Sequence, residues 1–130
     1  MTKAVTEQEL SERTSAPRVT EKDLKDNIEH VTYFTAAEGS LGARPAVSAY
    51  SPLNTLTFCV IVLKNGFTVT GESACASPEN YRKDIGERIA FENAVGKIWP
   101  LMGYALRERL AATRSGQTWL DGDARRNGEG

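Results

Sequence analysis

The chain is short of most of what familiar catalysis, metal binding and membrane insertion require. It has a single histidine, His30, and two cysteines, Cys59 and Cys75. The cysteines have neither CxxC spacing nor a histidine nearby, so no metal site and no metal or organic cofactor is expected. His30 stands in a strand-like run beside large apolar residues, where it reads as structural or exposed rather than as a catalytic base. The phosphate-cradling patterns GxxxxGKS/T and GxGxxG are absent, as is the GxSxG setting that Ser73 or Ser77 would need as a nucleophile. No run of about 18 apolar residues exists, which excludes a transmembrane helix. The opening run MTKAVTEQELSERTSAP lacks an apolar h-region, so no signal peptide is expected and the protein is expected in the cytoplasm. Formal net charge is −1, so bulk charge recruits neither a nucleic-acid polymer nor a membrane, and any anion site must be a local patch.

What is present is an ordinary globular composition, 40% hydrophobic and 25% charged over 130 residues, enough for one modest core. A single domain is expected over 20–112, between disordered tails at 1–19 and 113–130. Thr20 followed by Glu21, Lys22 and Asp23 reads as a helix start, giving a short helix over 21–27. IEHVTYFTA is β-branched and aromatic, so a strand is expected over 28–36, with Tyr33 and Phe34 putting large rings on both faces. Residues 37–53 hold Gly39, Gly42, Pro45 and Pro52 and keep no period, which reads as a long loop carrying Arg44 and Tyr50.

LTFCVIVLKNGFTVTGES reads as a β-hairpin around Asn65-Gly66. A type I′ turn needs positive φ at both central residues, and Asn-Gly supplies it. With those two residues as the loop, Cys59 faces Glu72 and Cys75 faces Leu56. The cysteines are then about 10 Å apart, beyond disulfide reach. A bulged turn would move this register by one. Alternation puts Phe58, Val60, Val62, Phe67 and Val69 on one face, and Cys59, Ile61, Leu63, Thr68 and Thr70 on the other. The first hairpin strand is apolar on both faces, so it belongs in mid-sheet, with a helix on one side and something further, such as a second copy of the chain, on the other.

Ser77, Pro78 and Glu79 read as the cap and first turn of a helix. At about 100° per residue, Tyr81, Ile85, Ile89, Phe91, Ala94, Val95, Ile98 and Trp99 fill a broad apolar arc, which implies contact with more than one surface. Pro100 removes an amide donor, so the helix is expected to kink or restart there. The second piece, about 101–112, would turn Leu101, Ala105, Leu106 and Leu110 inward.

Candidate chemistry favours binding. Aromatics and cations interleave along this helix: Tyr81, Arg82, Arg88, Phe91, Lys97, Trp99, then Arg107 and Arg109. Rings stack on bases, and guanidinium groups clamp phosphates. Asn93 offers both a donor and an acceptor. The competing structural reading keeps Phe91 and Trp99 in a core and leaves the helix-end arginines solvated. Arg88 falls inside the apolar arc beside Glu92, so it must pair with Glu92, with a partner subunit or with a ligand phosphate. Glu72 and Glu92 could approach each other if the helix packs on the hairpin, but a solvated or ion-paired role suits them better than catalysis.

Over residues 54–110 the words LKNGFTVTGESAC, SPENY, IGERIAFENA and KIWPLMGY closely resemble a family of small tailed-phage proteins of unassigned role, which is in turn similar to the Thoeris anti-defence sponge proteins of phages. The chain departs from that pattern in the 37–53 loop and in both tails. The resemblance implies a protein in the cytoplasm of an infected bacterium. It would bind a cyclic ADP-ribose isomer made by a TIR enzyme without cleaving it. Cyclic oligonucleotides are further candidate ligands. The resemblance also implies a dimer or larger homo-oligomer with ligand pockets between subunits. By motif position, Tyr81 becomes the base-stacking ring, Asn93 the polar contact, and Arg107 or Arg109 the phosphate contact. Arg88 and Lys97 are added from the charge pattern alone. The expected architecture is α+β: a small antiparallel sheet, an N-terminal strand plus the Asn-Gly hairpin, packed by a kinked C-terminal helix pair in an oligomer. Two other readings are a module that binds a host protein through its apolar helix and, ranking last, a phosphodiesterase acting on the same ligands.

Overall fold

The computed structural model describes residues 16–41 and 51–115. Contacts divide the chain into two units, Lys22–Trp99 and Met1–Glu21 with Pro100–Gly130. The expected tails, and Arg44 and Tyr50 of the expected loop, fall almost wholly outside the described residues.

The first unit is built on a three-stranded antiparallel sheet in the order β1-β2-β3. Helix α1, Glu21–Asp26, buries Leu24, and β1 follows at Ile28–Thr35. Thr35 ends the strand by capping a short helix α2, Ala36–Gly39. Its hydroxyl accepts from the Glu38 amide, and the Glu38 carboxylate accepts from the Thr35 amide in return. The segment expected as loop from 37 therefore begins as a capped turn, and it ends as a 3-10 turn at Ser51–Thr55. Strands β2, Leu56–Leu63, and β3, Thr68–Ala74, form the expected hairpin, with β2 in mid-sheet.

The hairpin loop has three residues, not two. The Gly66 amide donates to Leu63 O and the Leu63 amide to Phe67 O, both at 2.8 Å. Gly66 has φ +90°, and no non-glycine described residue has positive φ, so Asn65 does not enter the left-handed region that a type I′ turn demands. This is the bulged alternative, a type I turn closed by a left-handed glycine. One local bond and one from far back in the chain support it. Asn65 Oδ1 accepts from the Phe67 amide at 2.9 Å, and the Lys64 amide donates to Asn27 O at 2.9 Å.

One residue of slip moves every β3 side chain to the other face. Cys59 faces Gly71 rather than Glu72, and Leu56 faces Ala74 rather than Cys75. Val69 joins Ile61 on the helix side, while Thr68 and Thr70 pair with Val62 and Val60 on the other. Both cysteines are free thiols. On β1, register shifts between Ile28 and His30, so that Val31 pairs with Ile61 and Phe34 with Phe58.

Ser77 does not start the long helix. It precedes a 3-10 turn, Pro78–Asn80, and makes no side-chain cap bond. Tyr81 is extended, and helix α3 begins at Lys83 and runs to Ser115 with Pro100 inside it. It is thus one element where a kinked or restarted pair was expected, although the unit boundary falls at Pro100. Within the first unit, α3 buries Gly86, Ala90, Ala94 and Ile98, a stripe repeating every fourth residue. The expected arc is narrower than its apolar residues: Ile85, Phe91 and Val95 are half-buried, and Ile89 and Trp99 are exposed.

The close fit of this stripe explains Gly71. A Cβ there would lie 2.2 Å from Ala90 O and 2.3 Å from Ala94 N, so the helix backbone rests directly on β3. Cys59 and Ile61, fully buried, fill the space alongside. On the opposite face Phe34 stacks on Phe58 with centroids 5.6 Å apart, and Phe34, Phe58, Val60 and Val62 are half-buried.

In the second unit, the helix residues from Pro100 onward expose Leu101 and Tyr104. Of the four side chains expected to turn inward there, Leu106 and Leu110 are half-buried, while Leu101 and Ala105 are exposed.

Candidate ligand pocket beside Tyr81

At the end of the hairpin where β2 starts and β3 finishes, the 3-10 turn and the first turns of α3 enclose a cavity of about 120 Å³. Its wall is apolar at Ala74, Ile85 and Ile89, and polar at Ser73, Asn80 and Arg82. Tyr81 lines it, and its hydroxyl lies 3.2 Å from Thr57 Oγ1 in the strand below. Gly86 leaves room for that pair, since a Cβ there would come 3.0 Å from Thr57 Oγ1 and 3.5 Å from Tyr81 Cε1.

Thiol and guanidinium on this wall have local partners. Cys75 Sγ donates to Ser77 O at 3.0 Å. Arg82 Nη2 donates to Asp84 Oδ2 at 3.0 Å, an exposed pair that competes weakly with a ligand anion. Arg82, Lys83, Asp84 and Glu87 also line a wide surface depression. Ligand pockets for whole drug-sized molecules run to about 300–1,000 Å³, so the Tyr81 cavity has room for one ring system with its substituents.

Of the aromatic and cationic residues singled out from sequence for binding, Tyr81 and Arg82 line this cavity. Asn93 is held elsewhere: its Nδ2 donates to Glu72 O at 2.8 Å. That carbonyl belongs to the outer side of β3, an edge strand, so Asn93 satisfies an edge group that the sheet leaves unpaired. Glu72 shares the face of its cross-strand partner Phe58, away from the helix side, so the sheet does not turn its carboxylate towards Glu92. Arg88 and Lys97 are exposed and Phe91 is half-buried. Arg88 makes no ion pair with Glu92 or with any other described residue. Arg107 and Arg109 are exposed in the second unit, where the Thr113 hydroxyl donates to Arg109 O at 2.9 Å. His30 is exposed, with Nε2 2.6 Å from Thr32 Oγ1.

Sequence reasoning missed Thr57, Gly86 and the part of the rim made by Ser73 and Asn80. Thr57 had a signal in its parity: it shares the odd-numbered face of β2 with Cys59, Ile61 and Leu63, and a hydroxyl there needs a partner. Gly86 had a weaker one, as a glycine near the start of a long helix.

Among the described residues no three histidine, cysteine or acidic side chains stand together as a metal site. Nor is any described helix long and apolar enough to cross a membrane. Burial raises the pKa of Cys59 first, and Glu87 adds to it. Tyr33 is raised by burial, then by Cys59 and Glu87.

A three-stranded sheet under one long helix, with a small pocket where the hairpin meets the helix start, makes this a small α+β protein. Residues 19–110 match the model of the phage protein (N4 Gp49/phage Sf6 gene 66) family. The match spans well over half of the chain, and the protein belongs to that family. No curated protein and no solved structure matches it.

Proposed function

We propose that this phage protein binds and sequesters a cyclic nucleotide signal of bacterial immunity, a cyclic ADP-ribose isomer or a cyclic oligonucleotide, without cleaving it. The observation that carries this reading is the Tyr81 pocket, a cavity of about 120 Å³ that joins one aromatic ring to polar groups at Ser73, Asn80 and Arg82. An aromatic wall with a polar rim suits a base, whose face stacks and whose edge bonds. The cavity is too small for a whole cyclic dinucleotide, so the remainder of the ligand lies outside it, against a second copy of the chain in a homo-oligomer. Asn93, with Oδ1 left over from its bond to Glu72 O, supplies a further polar contact. Arg88 and Lys97 supply phosphate contacts and Phe91 an apolar one, and Arg107 or Arg109 supplies a phosphate contact from whichever copy of the chain brings it to the ligand. The protein acts by mass action in the infected cell, which calls for nanomolar affinity, about −12 kcal/mol.

Calorimetry with cyclic ADP-ribose isomers and cyclic oligonucleotides, followed by mass spectrometry of heat-released ligand, tests this. The expected result is tight binding with the ligand recovered intact. Tyr81→Ala and Asn93→Ala are expected to weaken it while the fold survives. Cleaved ligand would make the protein a phosphodiesterase, and no binding to either class would remove the reading. In that last case exposed Ile89 and Trp99 favour a module that docks a host protein through α3.

A further inference from the structure

Thr57 is the one fully buried polar side chain among the described residues, at 2% exposure. Its hydroxyl has one side-chain neighbour within hydrogen-bond distance, the Tyr81 hydroxyl at 3.2 Å. The two residues are 24 positions apart, one on the central strand and one in the link between the 3-10 turn and α3. Thr57 does not line the cavity, whereas Tyr81 does. Over both lies Gly86, where a Cβ would press to 3.0 Å on Thr57 Oγ1 and make ordinary contact with the Tyr81 ring at 3.5 Å.

We infer that Thr57 is the positioning residue of the pocket: it holds the Tyr81 hydroxyl inward, so that a ligand meets Tyr81 as a ring and not as a hydrogen-bonding group. The inference rests on the reading of the Tyr81 pocket as a nucleotide-base site. Leaving a buried hydroxyl without a partner is costly, so the pair persists. With the hydroxyl engaged, Tyr81 loses its own freedom of rotation before the ligand arrives, which lowers the ordering cost of binding. The group that packs there must then be planar and aromatic, and any selection among bases falls to the rim at Ser73 and Asn80.

The test is calorimetry of the full chain with a cyclic ADP-ribose isomer, whose adenine is the planar group, together with NMR of the Tyr81 ring protons. Tyr81→Ala removes the stacking wall and is expected to weaken binding about 5- to 150-fold. Tyr81→Phe and Thr57→Val each remove the internal bond and keep the ring, with an expected loss of about three- to tenfold. The double variant should be no worse than either single one, and Thr57→Ser should restore binding to within about twofold. Tyr81→Phe covers the case in which Thr57→Val fails to fold. Wild-type affinity in both Tyr81→Phe and Thr57→Val, with Tyr81→Ala still impaired, overturns the role of Thr57 and leaves the base site standing. Additive losses in the double variant overturn it as well. If wild type binds no cyclic nucleotide, the base-site reading fails, and the ring spectrum decides the rest. Unchanged Tyr81 ring signals in Thr57→Val or Thr57→Ala then overturn the positioning, and altered ones support it.

Discussion

The two faces of the sheet are packed in opposite ways. Beneath α3 the contact is made by small residues: Gly71 against the backbone at Ala90 and Ala94, and Gly86 over Thr57 and Tyr81. Cys59 and Ile61 there have no exposure at all. On the other face large side chains, Phe34, Phe58, Val60 and Val62, are only half-buried. Burial therefore does not follow side-chain size in this protein. It follows how near a second backbone comes. Where helix and strand touch main chain to main chain, even a methyl group has no place. Where the nearby backbone, at Gly39, meets only the edge of the Phe34 ring, a stacked phenylalanine pair remains partly in water.

The largest test of this contrast is Gly71→Ala. Its added methyl would have to displace the helix backbone, and unfolding measurements should show a loss of about 3 kcal/mol or more. A near-neutral result would mean that α3 does not sit on β3 as described. Next come adjacent positions on opposite faces of β2. Ile61→Ala should cost about 2–5 kcal/mol, while Val60→Ala, half-buried, should cost about 1 kcal/mol. If Val60→Ala proves as costly as Ile61→Ala and the loss depends on protein concentration, the second face is covered by another chain.

A smaller effect is expected at alkaline pH. Burial raises the folded pKa of Cys59 above that of an unfolded thiol. Between the two values the folded chain keeps a proton that the unfolded chain has lost. The contribution is complete below an unfolded thiol pKa of about 8.5 and declines as pH rises through the folded value. Denaturation midpoints should fall above that point, and less steeply in Cys59→Ala. Tyr33, also raised, should prolong the decline at higher pH. The smallest change is Glu29→Gln. It breaks an exposed pair with Lys64 at 3.1 Å, and thermal melting should register at most about 1 kcal/mol.

Much of the fold was legible because its signals are local. Residues 28–35 carry β-branched and aromatic side chains, and Asn65-Gly66 marks the hairpin. The candidate pocket was far less legible. Tyr81 was reached through a motif, but its partner Thr57 lies 24 residues away, and no spacing rule links a strand residue to a turn at that distance. Asn93 was assigned to a ligand by motif position, with donor and acceptor groups that suit the role, but the same amide also serves the edge of β3. Ser77-Pro78-Glu79 has the composition of a helix start, and a single 3-10 turn satisfies it equally well before the chain extends at Tyr81.

By itself the sequence determined the three strands, the short first helix, the helical character of the C-terminal segment, their order and the middle place of β2. These follow from propensity, alternation and turn chemistry within a few residues. Tertiary structure alone decided the register of β3, the narrow stripe by which α3 is buried, and the meeting of Thr57, Tyr81 and Gly86. Two- and three-residue turns are both open to Lys-Asn-Gly, and the bond from the Lys64 amide to Asn27, far back in the chain, adds to the local Asn65 bond in holding the three-residue form. The stripe depends on where two backbones touch. That contact is set by the absence of side chains at Gly71 and Gly86, and an absence carries no pattern of its own until the fold brings something against it.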